Sequence, residues 1–191
     1  IIGFDSRDVP WSAGNPYLRL VGYGLVDTYD GSIQLIKHGD DFFSDMFMSQ
    51  YKHNVIEMPE WLEEQIRYPQ ELFNWRTEMY NIYHVTDVDI FIQANEFYEI
   101  PRGLDTYYIQ AKPPGFEEPE FVGLLSLELR GSQGRNLAGY MVVENDKPNL
   151  GHMQFYEVPI ESDIKLLGPT SVREALDRDP DFAQLKTLLR N

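Results

Sequence analysis

Phe121-Val122-Gly123-Leu124-Leu125-Ser126-Leu127 is the most lipid-like run of the chain and opens a strongly apolar strand candidate that continues through Glu128 to Leu129; Leu137-Ala138-Gly139-Tyr140-Met141-Val142-Val143-Glu144 follows it across a short polar loop. Short apolar runs bounded by turn residues read as strands buried on at least one face. Met153 to Val158 then alternates cleanly beyond a turn over Asn145–Gly151, and Lys165 to Leu167 reads as a further short strand before Gly168-Pro169. Upstream, Thr106 to Lys112 is a strand ended by Pro113-Pro114-Gly115. Strands in succession, joined by short connections and with no helical pattern between them, pair as antiparallel neighbours.

Residues 1–16 are polar and rich in breakers, and read as an irregular lead-in. Tyr17 to Thr28 is a strand, Tyr29-Asp30-Gly31 a turn signal and Ser32 to Lys37 the returning strand, which together predict a hairpin. Gly22 and Gly24 inside it suggest a bulge or a close backbone approach. Residues 40–99 change period. Asp40 or Asp41 caps a helix carrying Phe43, Met46, Phe47 and Tyr51. Pro59 opens a helix with Trp61, Leu62 and Ile66, and Pro69 opens a longer one with Leu72, Phe73, Arg76, Met79, Tyr80 and Tyr83. Thr86 caps another, with Asp87 and Asp89 in its first turn.

The tail is helical. Ser171 and Glu174 have capping-box spacing, and Asp179-Pro180 starts a last helix with Phe182, Leu185, Leu188 and Leu189. Strands and helices are therefore segregated. The chain is predicted to be α+β, with a largely antiparallel sheet, a helical block inserted after the first hairpin, and C-terminal helices. A lone hairpin is marginal in water, so the two strand groups are expected to share one sheet. At 191 residues the chain reads as a single domain over 1–191, with residues 40–100 as an alternative helical subdomain.

Composition narrows the function classes. There is no cysteine, hence no disulfide, no thiolate nucleophile and no thiolate metal site. Sixteen basic against 31 acidic residues give a net charge of −15, of which −7 falls in residues 51–100. Such a surface repels nucleic acid and anionic lipid alike, so neither is expected as a partner. No apolar run approaches the roughly 20 residues of a membrane span. The chain opens on Ile1 without a signal-peptide pattern, and reads as a piece of something longer.

The search for chemistry assigns no catalytic, cofactor-binding or metal-ligating residue. Arg130-Gly131-Ser132-Gln133-Gly134 approximates a nucleophile elbow, but it leads with Arg and joins two strands, so it reads as an ordinary loop. His38, His53, His84 and His152 are never three or four apart. His38 with Asp40 and Asp41, and His84 with Asp87 and Asp89, read as strand and helix ends whose acids serve capping. Asp27 to Gly31 lacks calcium-loop spacing. Glu117-Glu118-Pro119-Glu120 reads as a solvated loop, and Tyr107, Tyr108, Phe121, Tyr140, Phe155 and Tyr156 as core packing.

An ordered set of phrases carries a resemblance. They are Arg67-Tyr68-Pro69-Gln70-Glu71-Leu72-Phe73, Met79-Tyr80, Tyr83-His84-Val85-Thr86-Asp87, Tyr107-Tyr108-Ile109, Glu120-Phe121-Val122, Arg135-Asn136-Leu137, Gly168-Pro169 and Asp177-Arg178-Asp179-Pro180. From about Val26 onward the chain resembles uncharacterised protein family 0182, large bacterial multi-spanning membrane proteins. It departs from the family pattern at Leu129–Gly134 and over Met141–Leu150. The resemblance implies a C-terminal part of the region outside the cytoplasmic membrane, soluble as a fragment, and carries over no site residue. The partners it implies are the protein's own transmembrane and remaining extracytoplasmic segments, with other envelope proteins.

Two readings follow. The first is a non-enzymatic extracytoplasmic module with a structural or protein-interaction role, which predicts one broad apolar or aromatic patch, larger than a few hundred Å², left uncovered in the isolated fragment. The second is a cell-envelope hydrolase or cation-binding domain using clustered carboxylates, which predicts a pocket where carboxylates or a histidine converge.

Overall fold

The computed structural model describes residues 2–4, 17–94, 96–130, 135–159 and 165–189. In chain order the elements are β1 (Ile2–Phe4), β2 (Tyr17–Arg19), β3 (Gly22–Val26), β4 (Ile33–Lys37), α1 (Phe42–Ser49), β5 (Val55–Ile56), α2 (Glu60–Glu63), α3 (Gln70–Tyr83) and α4 (Val88–Ile92). They continue with β6 (Tyr98–Glu99), β7 (Tyr107–Ala111), β8 (Glu120–Leu129), β9 (Leu137–Glu144), β10 (Met153–Glu157), α5 (Pro169–Arg178) and α6 (Pro180–Leu189). The fold is α+β, with largely antiparallel sheets, a helical block after the hairpin and helices at the C-terminal end.

The strand groups do not share one sheet. β3, β4 and β5 form a three-stranded sheet, and β10-β9-β8-β6 with β7 on β8 forms a five-stranded one, while β1 pairs with β2. The hairpin is not left alone because β5, inside the block that reads as helical, joins β4 in parallel through Leu35–Val55 and Ile36–Ile56. Two residues are too few to show a strand period, so β5 and β6 have no signature in the sequence. Lys165–Leu167 makes only a single bridge, between Asn136 and Leu167.

Turn and cap chemistry explains the elements that the sequence places correctly. Gly31 has φ +76°, and Asp27 and Asp30 accept from the amides of Tyr29 and Ser32 within the β3–β4 turn. Asp41 caps α1 by accepting from the Phe43 and Ser44 amides. Asp87, not Thr86, caps α4, accepting from the amides of Asp89 and Ile90. Asp179 caps α6 by accepting from the Phe182 amide at 2.9 Å. The close approach at Gly22 is real: an added methyl would overlap the Met48 side chain and the Ile36 carbonyl. Gly24 meets nothing within 4 Å, so the same reading fails there.

The main core lies between α3 and one face of the five-stranded sheet. Phe73 and Leu72 pack with Tyr68 against Leu125, Met141 and Val143. The stripe that α3 buries is Leu72, Phe73, Thr77 and Asn81, whereas Arg76 and Tyr83 are exposed. Thr77 fits there because its hydroxyl donates to the Phe73 carbonyl one turn back. A second cluster, Tyr98, Leu127, Leu129 and Ala138, continues the core toward β6.

Of the six aromatics expected to pack in the core, Phe155 packs against both buried clusters, Tyr108, Phe121 and Tyr156 are half-buried, and Tyr107 and Tyr140 are exposed. None is buried, and Tyr107 is 66% exposed. Phe121 shows why: it stacks on Tyr108 on one side and lies 4.8 Å beneath the Arg67 guanidinium on another.

Candidate functional site

The residues considered as ligands in the sequence mostly resolve into caps and stacks. Asp41 takes the Ser44 hydroxyl at 2.7 Å and an ion pair from Arg19 at 2.8 Å. These contacts, with the capped amides, pull its carboxyl down to about 2 against a partial opposing burial effect. Lys37 bridges Asp40 and Asp45, which raises its amine to about 12. His38 lies edge-on to Tyr23, and burial lowers its pKa. His84 is stacked between Tyr80 and Tyr98, with ring centroids 5.2 and 4.0 Å away, and is thereby separated in role from the α4 cap Asp87. Ser132 lies outside the described residues.

One convergence escapes the sequence reading. Strand β8 contributes Glu120, the end of β9 contributes Glu144 and the β9–β10 turn contributes His152. They line a cavity of about 350 Å³ with Glu117, Asn149 and Gln154, beside the loop joining β7 to β8. His152 Nδ1 lies 2.6 Å from Glu144 Oε1; the Glu144 side chain is buried and the imidazole exposed. Glu120 has a raised pKa, chiefly from desolvation, then from the charge of Glu144 and a hydrogen bond to it, and last from Asp146. Asp146 is itself held as the acceptor of the Phe121 amide at 2.8 Å. A buried carboxylate holding an exposed imidazole can orient a base or a ligand. Among the described residues, however, no group of three or more His, Cys, Asp or Glu is disposed to hold a metal ion. The spacing of 24 residues between Glu120 and Glu144 gives no local signal; only their shared register edge, with Val122 opposite Glu144, brings them together.

A second acid is missed in the sequence for the opposite reason. Glu128 sits in an apolar strand and is 1% exposed. Its carboxylate accepts from the Thr170 amide at 2.6 Å and the Thr170 hydroxyl at 3.0 Å, so it caps α5 from another element. The predicted capping box is therefore absent: Ser171 donates to the Arg135 carbonyl and Glu174 pairs with Arg135.

The surface leaves many apolar side chains in water. On α1 they are Phe42, Phe43 and Met46, and on the hairpin the cross-strand pair Val26 and Ile33. Helices α5 and α6 bury no residue at all; Val172, Leu176, Phe182, Leu185, Leu188 and Leu189 are all exposed. No helix among the described residues is long and apolar enough to cross a membrane.

No solved structure matches the chain. It is 30% identical over 86% of its length to a UPF0182 protein of Sulfurovum sp., and 32% identical over 90% of its length to a UPF0182 protein of Methanospirillum hungatei. It spans about a fifth of the length of these curated relatives, 19% and 20% respectively. Residues 17–189, most of the chain, match the Uncharacterised protein family (UPF0182), and the chain belongs to that family.

Proposed function

We propose that this region is a non-catalytic module of a membrane protein, placed outside the cytoplasmic membrane, with a structural or protein-interaction role. The observation that carries this reading is the uncovered apolar surface on α1, the β3–β4 hairpin and α5–α6. Apolar side chains in water are a standing cost of roughly 25 cal/mol per Å², which contact with another surface removes. The membrane setting is supported by the family resemblance, and the need for further contacts by the fivefold greater length of the relatives.

Substituted-cysteine labelling tests the setting in a full-length background freed of other reactive cysteine; this chain contributes none. Tyr29 is 98% exposed, so Tyr29→Cys in the full-length protein should react with a membrane-impermeant maleimide in intact cells. Reaction only after lysis would place the module on the other side and sink the reading.

The Glu144–His152 contact beside Glu120 favours a second reading, a cell-envelope hydrolase or cation-binding domain. Its cation-binding form requires heat on titration with calcium or zinc and a rise in melting temperature. Neither should appear under the first reading.

A further inference from the structure

We infer that the α5–α6 pair is a docking arm for an apolar helical segment from the rest of a family-length polypeptide. This rests on the interaction reading above and names the surface and its occupant. The arm is joined to the body by polar bonds near its root. Glu128 holds the Thr170 amide and hydroxyl, Arg135 pairs with Glu174, the Gly168 amide donates to the Arg135 carbonyl, and the Leu137 amide donates to the Leu166 carbonyl. Gly168 permits this closeness, because a methyl there would lie about 2.5 Å from the Glu128 carboxylate. The direction of the arm is thus set without burying its apolar residues.

Those residues fall at helical-face spacing. Val172 and Leu176 are four apart on α5; Phe182, Leu185 and Leu189 are three and four apart on α6. A stripe of this kind takes another apolar helix by ridges into grooves. Charge and length select the occupant. Residues 169–191 carry four acidic and four basic side chains, so the arm is neutral while residues 1–168 hold the entire −15. Two copies meeting at their arms would bring two strongly acidic bodies together, and an anionic bilayer would meet the same repulsion. A segment of the same polypeptide meets the arm at high effective concentration, and about four-fifths of each relative's length lies outside the matched region.

The test compares the 191-residue chain with the full-length protein, each carrying one cysteine at Leu185, Phe42 or Tyr29 in a background otherwise free of reactive cysteine. Leu185→Cys should react with a maleimide about tenfold more slowly in the full-length protein, at a rate independent of protein concentration, as expected for a site exposed only by local opening. Tyr29→Cys should react alike in both. Equal rates at Leu185 with protection retained at Phe42 would overturn the arm while leaving the interaction reading standing. Equal rates at both would overturn both. Protection of Leu185 in the isolated chain that grows with concentration would assign the arm to a second copy. Protection abolished on transfer from anionic vesicles to neutral detergent would assign it to lipid. Either of those outcomes overturns the inference.

Discussion

The carboxylate of Glu128 on β8 accepts from both the backbone amide and the hydroxyl of Thr170, 42 residues further along the chain. It supplies from the sheet the cap that α5 lacks in its own sequence. Without it, the backbone amide and the hydroxyl of Thr170 lose their acceptor together. Glu128→Ala should therefore destabilise the chain by about 1–3 kcal/mol in urea unfolding, the cost of leaving buried polar groups unpaired. Glu128→Gln should cost less, because its amide oxygen can still accept from Thr170. Equal losses for the two variants would mean that the ionised carboxylate, not an acceptor oxygen at that position, is what the residue supplies.

The two hairpin glycines should separate cleanly. Gly22→Ala pushes a methyl into Met48 and the Ile36 carbonyl, and overpacking of this kind costs about 1–3 kcal/mol. Gly24→Ala enters open space and should leave the melting temperature unchanged or slightly raised. Thermal melts of both variants check the contrast.

Asp41 and Glu120 should respond to acid in opposite senses. Asp41 has its folded pKa lowered to about 2 from 3.8, first by the Ser44 hydroxyl. Its contribution is present above the unfolded value and is lost as pH falls from about 4 toward 2. Asp41→Asn should flatten the acid limb of the stability curve.

Glu120 has its folded pKa raised, chiefly by desolvation. The folded state then holds the proton more tightly than the unfolded one, so this group favours folding at acid pH and that contribution fades as pH rises through the raised value. Glu120→Gln should raise the melting temperature at pH 7 and have little effect near pH 3. A loss of stability at pH 7 would show that the charged form, rather than a shared proton, holds the cluster together.

Burial sets the last contrast. Phe73 is fully buried between α3 and the sheet, and Phe73→Ala should cost about 3–5 kcal/mol in the isolated chain. Leu188→Ala on α6 removes a side chain already in water and should stay within about 0.5 kcal/mol. A large effect at Leu188 in the isolated chain would mean that α6 already has a packing partner there.

What was legible in the sequence was local. Strands β8, β9 and β10 appear in it because apolar runs between turn residues need no partner to be recognised, and Leu137–Glu144 is bounded as read. The starts of α1, α3 and α6 follow from Asp41, Pro69 and Asp179, since a cap or an initiating proline acts within one turn. Family membership was carried by phrases spread along the same chain. Illegible were the two-residue strands β5 and β6, the division of the strands between separate sheets, and the stripe that α3 buries. The convergence of Glu120, Glu144 and His152 was equally hidden, as was the cap that Glu128 gives to α5. The amino-acid order by itself determined which segments bend, extend or coil, because those preferences are settled between neighbours within a few residues. Only the tertiary structure decided which acids are buried, which meet one another and which apolar faces remain in water, because each of these depends on groups dozens of residues apart being brought to the same place.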